Sequence, residues 1–357
     1  MSDGQLQVEG QAFAVGPGMR LSEAFFQEYV QPLADARLGR SAYAAALLGG
    51  GSEVLGLDTE VSADHDWGPR VALLVEHAAI AEASSIAVEL PDEFAGVSRR
   101  FGAVAGGAPW VHPFEVSTVP RYFNAWVGFH ERTTATLADW LAKPAMSYLA
   151  VTAGAVFQDG PGQLRAARQA ACWYPDDVWR WLVACQWRRI GEEQAFIERA
   201  GNAGDLLGAA VIAGRVVRET IRLGLLLERR YAPYSKWLAS AFSTLPLGRE
   251  LSPSLKTGIT DPTGGGANAL CAALETLGSL TNERLGVRVD PSRRQHFSRP
   301  ITVVPASEFT AAVLETVQDP KLQTLGTDVG NVDMLFGTNN GACPGARATY
   351  HALLSAK

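Results

Sequence analysis

No stretch of about 18 unbroken apolar residues occurs in the chain, which argues against a membrane-spanning helix. Basic residues are in the minority. With 31 lysines and arginines against 37 aspartates and glutamates, the net charge is −6, which disfavours bulk nucleic acid and polybasic membrane contacts. Cysteine is scarce: Cys172, Cys185, Cys271 and Cys343 are too widely spaced for a zinc cluster and suggest no disulfide framework. They read as reduced structural thiols. Residues 1–17 show no basic stretch followed by an apolar core, so no secretory leader is expected and the cytoplasm is the expected compartment. Two catalytic signatures are also missing. There is no Gly-x-Ser-x-Gly, and Thr263-Gly264-Gly265-Gly266-Ala267-Asn268 lacks the Gly-Lys-Ser/Thr ending of a P-loop, so it reads as a connector before a helix.

What is present is a globular composition, 47% hydrophobic and 19% charged over 357 residues, enough for two domains. Helical spacing of Leu21, Phe25, Phe26, Tyr29, Val30 and Leu33 predicts a first helix over Met19–Arg37, kinked or shortened by Pro32. Short apolar runs predict strands at Ser41–Leu48, Val71–Val75 and Ile86–Leu90, with a β-type run over Val111–Val119. From about residue 130 helical patterns dominate, including Asp176–Arg199, Leu206–Arg230, Tyr234–Phe242 and Ala267–Leu285. The expected fold is α+β. A small mixed β-sheet domain with flanking helices covers residues 1–145, and an all-helical domain over residues 146–357 closes a cleft on it.

The chain is organised around Gly49-Gly50-Gly51-Ser52, which follows the first apolar strand, and the pair Asp64 and Asp66 further on. In extended chain Asp64 and Asp66 share a face and His65 points the other way. Paired carboxylates repel unless a cation sits between them, and hard oxygen ligands suit Mg²⁺ with a substrate phosphate. Glycines let the backbone approach that phosphate, and Ser52 adds a hydroxyl donor. Two Mg²⁺ ions held this way would bind a nucleoside triphosphate for in-line displacement, and a third acid is needed. Glu115, on its own apolar-flanked strand, is preferred, with Glu89 as the rival. The bland reading makes the aspartates Asx caps in a turn and the glycines a tight loop.

A Gly-Ser, a spacer of about ten residues, Asp-x-Asp and a later acid on a strand resemble the polymerase-β-type nucleotidyltransferase superfamily. The resemblance implies that Asp64, Asp66 and Glu115 hold two Mg²⁺ ions, that Gly51 and Ser52 hold the triphosphate, and that a nucleotidyl group passes to an acceptor. More closely, Leu55-Gly56-Leu57-Asp58, Ser62, Asp64-His65-Asp66-Trp67-Gly68-Pro69-Arg70 and Glu228-Arg229-Arg230-Tyr231-Ala232-Pro233-Tyr234-Ser235-Lys236-Trp237 are similar to a bacterial domain-of-unknown-function family placed among the nucleotidyltransferases. In this chain Trp67-Gly68-Pro69-Arg70 stands between Asp66 and the apolar strand, where the superfamily pattern runs on directly.

Further along, Arg215, Arg218, Arg222 and Arg229 share a helix face, read either as solvated or as a basic wall toward the triphosphate. Pro233 is expected at a helix start, presenting Lys236 to a phosphate and Tyr231 or Tyr234 to a base, against packing and snorkelling as the alternative. Trp173, Trp179, Trp181 and Trp187 are either an acceptor pocket or, more commonly for tryptophan, core. The expected activity is transfer of a nucleoside monophosphate to a hydroxyl-bearing acceptor, a small molecule favoured and a protein allowed. A non-catalytic nucleotide-binding regulator and a helical interaction protein are the competing classes.

Overall fold

A computed structural model describes Gln11 and residues 14–63, 67–99, 113–336 and 345–355. It is a mixed α+β structure with a small mixed sheet and many helices. The chain divides into two compact units, Met1–Asp139 with Ala145–Trp173, and Trp140–Pro144 with Tyr174–Lys357.

The first unit opens with α1 (Pro17–Phe25), a π-helical turn (Phe26–Val30) and α2 (Gln31–Leu38). Pro32 has no N–H to give the carbonyl one turn back, and the helical ladder widens to π just before it. There follow β1 (Tyr43–Leu47), α3 (Ser52–Leu55), β2 (Val71–Val75) and α4 (Ile80–Ser85). A short hairpin, β3 (Glu93–Phe94) and β4 (Val97–Ser98), leads on to β5 (Phe114–Ser117) and α5 (Val119–Trp126). After α6 (Leu137–Ala142), which crosses the division between units, come α7 (Ala145–Thr152), β6 (Ala155–Asp159) and α8 (Gln163–Ala170).

The main sheet has the order β5-β2-β1-β6. β1 is antiparallel to β2 and β6, while β2 is parallel to β5 with Ala72 opposite Glu115. Every residue of β1 and β2 is buried, which is why both read as unbroken apolar runs. On one face Tyr43, Ala45, Val71, Leu73 and Val75 pack with Phe25, Phe26, Val30 and Ala34 of the first helical run and with Ala83 and Ile86. At the C-terminal end of α7, Arg168 is 1% exposed and donates to the carbonyls of Thr152 (2.7 Å) and Ala153 (2.8 Å). This guanidinium caps carbonyls that the helix itself leaves open. β6 comes from beyond residue 145, so the sheet draws on chain outside the stretch expected to supply it.

Ile86–Leu90 is not a strand. It forms a 3-10 turn at Ile86–Val88, with Ile86 and Leu90 buried and Val88 88% exposed. In a strand all three would share one face; burial four residues apart with exposure between them is helical periodicity.

The second unit is built on α9 (Asp176–Asn202), α10 (Leu206–Leu227), α11 (Leu238–Thr244), α12 (Pro246–Thr260) and α13 (Gly266–Leu285). A two-residue hairpin pairs β7 (Arg294–Gln295) with β8 (Thr302–Val303), and α14 (Ala306–Leu314) packs on α9. Of the connector expected over Thr263–Asn268, only Thr263–Gly265 lies ahead of α13, which takes in Gly266–Asn268; Asp261 receives the N–H groups of Gly264 and Gly265 there. The tryptophans of α9 are core. Trp179, Trp181 and Trp187 are at most 2% exposed, and their indole N–H groups go to Leu226 O, Gly326 O and Thr281 Oγ1. Among the described residues no helix is long and apolar enough to cross a membrane.

Candidate functional site

At one end of the sheet, the end of β1 lies beside the starts of β2 and β5, because β1 runs opposite to both. A cleft at this end is lined by Gly49, Gly50, Arg70, Glu115, Tyr122 and Trp126, with strand residues beneath. Three separate stretches of sequence meet here. The glycine turn leaves β1 with the Gly49 N–H donating to Ala150 O at 2.7 Å. Gly49 has φ +96°, a backbone state that side-chain-bearing residues rarely adopt, and a Cβ there would lie 3.2 Å from Tyr122 Oη.

Ser52 is the first residue of α3, 7% exposed, and does not line the cleft; Gly51 precedes it as the helix N-cap. Glu115 does line the cleft, from β5, half-buried and opposite Ala72. Asp64, His65 and Asp66 lie outside the described residues. Glu89 is in the turn after Ile86–Val88 and pairs with Arg37, so it is no strand carboxylate.

The chain flanking residues 64–66 is tied down on both sides. Asp58 accepts from the Trp67 indole (3.0 Å) and from the Gly18 N–H (2.7 Å). Arg70, 3% exposed, holds its Nη2 2.8 Å from Glu53 Oε1 and donates from it to Gly50 O at 2.8 Å. Its main-chain N–H goes to Ser22 Oγ. Arg70, at the end of Trp67-Gly68-Pro69-Arg70, therefore anchors the glycine turn to the start of β2. Tyr122 is buried, and burial together with the nearby Glu115 charge holds its phenol well above the usual tyrosine range. It enters the cleft as a neutral hydroxyl.

Sequence reasoning missed Tyr122 and Trp126. Their four-residue spacing just after the acid-bearing strand is the signal that would have found them, since it puts both on one face of α5. Glu115 offers one hard oxygen ligand of the kind Mg²⁺ takes. Among the described residues no group of three or more metal-ligating side chains is gathered.

Arg222, Tyr234 and Lys236 belong to the second unit. Arg222 is half-buried on α10, and its buried Nε has no hydrogen-bond partner among the described residues. Tyr234 is half-buried, and Lys236 is exposed with Nζ 4.9 Å from the Trp237 ring centre. Pro233 does not start a helix: it lies in irregular chain, and α11 begins at Leu238. Tyr231 is core, 1% exposed and edge-on to Tyr174. Arg215 and Arg218 on α10 pair with Glu193 and the buried Glu219, whereas Arg229 does not share that helix face: α10 ends at Leu227, and Arg229 lies in the turn beyond it, paired with Asp176.

Residues 140–238 match a family described only as a domain of unknown function, DUF4037. The matched stretch holds Arg222 and the Tyr231–Trp237 motif but neither the glycine turn nor Glu115. No curated protein matches the chain.

Proposed function

We propose that the chain is a Mg²⁺-dependent nucleotidyltransferase. An acceptor hydroxyl attacks the α-phosphorus of a nucleoside triphosphate, the new O–P bond forms as the α–β bridging bond breaks, and pyrophosphate leaves. The hydroxyl proton passes to a carboxylate of the site. The reading is carried by one observation: the glycine turn, Arg70 and Glu115 line a single cleft at the sheet end where β2 begins. Glu115 would hold metal there together with Asp64 and Asp66, whose place in the sequence is just before β2. Mg²⁺ would supply charge neutralisation and orientation of the triphosphate. The chain's own groups supply the rest: the glycine turn, which brings main chain to the cleft wall, Arg70 as a fixed cation, and Tyr122 as a neutral donor. The net charge of −6 favours a small-molecule acceptor, with a protein as the other candidate.

Calorimetric titration of ATP, GTP, CTP and UTP, with and without Mg²⁺, tests the proposal on the wild type and on the Asp64→Asn/Asp66→Asn variant. Binding that requires Mg²⁺ and is lost in the variant is expected. Folded wild type that binds none of the four would refute it. Arg222→Gln, Tyr234→Ala and Lys236→Ala in the same titration report whether those side chains contribute. One observation favours a second reading, a helical interaction protein: the family match falls on residues 140–238, which include none of the residues that line the cleft. Binding of no nucleotide by the wild type is the outcome that reading requires.

A further inference from the structure

Arg70 is a buried arginine beside the cleft. It is 3% exposed, sits against a Glu53 that is 1% exposed, and still lines the cleft. A guanidinium out of water has to place its charge and its N–H groups on partners. Glu53 answers the charge, and Gly50 O receives one N–H from Nη2. The buried Nε–H has no partner among the described residues. The planar fork that matches carboxylates and phosphates is thus fixed in place through Nη2, beside the cleft that Arg70 lines.

We propose that Arg70 is a phosphate-contacting residue held by Glu53, its guanidinium donating to an anionic oxygen of a ligand seated in the cleft beside Gly50. The same side chain, through Gly50 O, fixes the glycine turn against the start of β2 and so positions the turn for that ligand. The proposal rests on the nucleotidyl-transfer reading and names the phosphate chain, in substrate or in released pyrophosphate, as what Arg70 recognises. Lysine cannot replace it, because an ammonium at this position keeps the charge and loses the fork.

The test titrates Mg²⁺–ATP and Mg²⁺–pyrophosphate into the full chain as wild type, Arg70→Lys and Arg70→Gln. Both variants are expected to bind at least about tenfold more weakly, the loss that follows from deleting a charge-assisted hydrogen bond. Arg70→Lys binding as tightly as wild type overturns the proposal and leaves the nucleotidyl-transfer reading standing. Wild type that binds neither probe overturns both. Glu53→Gln keeps Arg70 and the shape of its partner. In that variant, amide exchange over residues 47–56 should accelerate while α9 and α10 keep wild-type protection, and Mg²⁺–ATP should bind more weakly. Wild-type exchange or wild-type affinity in Glu53→Gln overturns the proposal, and this arm decides it if both Arg70 variants fail to fold.

Discussion

Gly49→Ala separates backbone strain from occupation of the cleft, provided that it is paired with Gly39→Ala. Both glycines hold positive φ, +96° at Gly49 and +84° at Gly39. An alanine in such a state costs about 1–3 kcal/mol in either place. Their surroundings differ. A Cβ at Gly39 meets nothing within 4 Å, whereas one at Gly49 lies 3.2 Å from Tyr122 Oη and 3.7 Å from Trp126 Cζ2. The first contact is tight enough that Tyr122, itself buried, has to shift by a few tenths of an ångström. Gly39→Ala should therefore lose about 1–3 kcal/mol in urea unfolding. Gly49→Ala should lose at least as much, and in addition bind Mg²⁺–ATP more than about tenfold more weakly, or about 1.4 kcal/mol, because the methyl occupies the phosphate approach. Gly39→Ala should bind as wild type. Wild-type stability in Gly49→Ala would refute the conformational argument. Equal affinity in the two alanine variants would refute the assignment of the cleft.

Glu219 in the second unit is 8% exposed and accepts from Gln186 Nε2 at 2.6 Å beside Arg218 and Arg189. Burial raises its pKa, but the Gln186 hydrogen bond and the charges of Arg218, Arg222 and Arg189 outweigh this and hold it below the usual carboxylate value. The stability it contributes is therefore complete above that ordinary value and is lost as pH falls through the depressed one. Glu219→Gln should cost about 2–4 kcal/mol near pH 7, discounted from the fully buried case because the arginines keep water contact, and should flatten the acid limb of an unfolding titration. An unchanged acid limb would refute the coupling. Burial pushes the Cys271 thiol up to about 11 and raises that of Cys185 as well. Folded protein holds these protons longer than unfolded chain, so their contribution is complete below the ordinary thiol value and is lost as pH rises through the raised one. Peptide-resolved alkylation at pH 8 should leave both unmodified in native protein and label them after denaturation; fast native labelling of either would refute their burial.

The parts of the fold that could be read from sequence are those whose burial is local. β1 and β2 are covered on both faces, so an apolar run is signal enough for each. Ile86–Leu90 is equally apolar and misleads, because five residues are too few for period alone to separate a strand from a helical turn. β6 was hidden for a different reason. Its partner β1 lies over a hundred residues earlier, and nothing in Ala155–Asp159 records that pairing. The site divides in the same way. Glu115 stands out as an acid between apolar neighbours on a strand, and the glycine turn stands out by composition. Arg70 does not, because its meaning depends on a contact with Gly50 and Glu53 that exists only once β2 has paired with β1. The stretch Trp67-Gly68-Pro69-Arg70 carries Arg70 to that contact. Residues that interrupt an apolar pattern in the sequence can thus be the ones that tie a loop to a strand start.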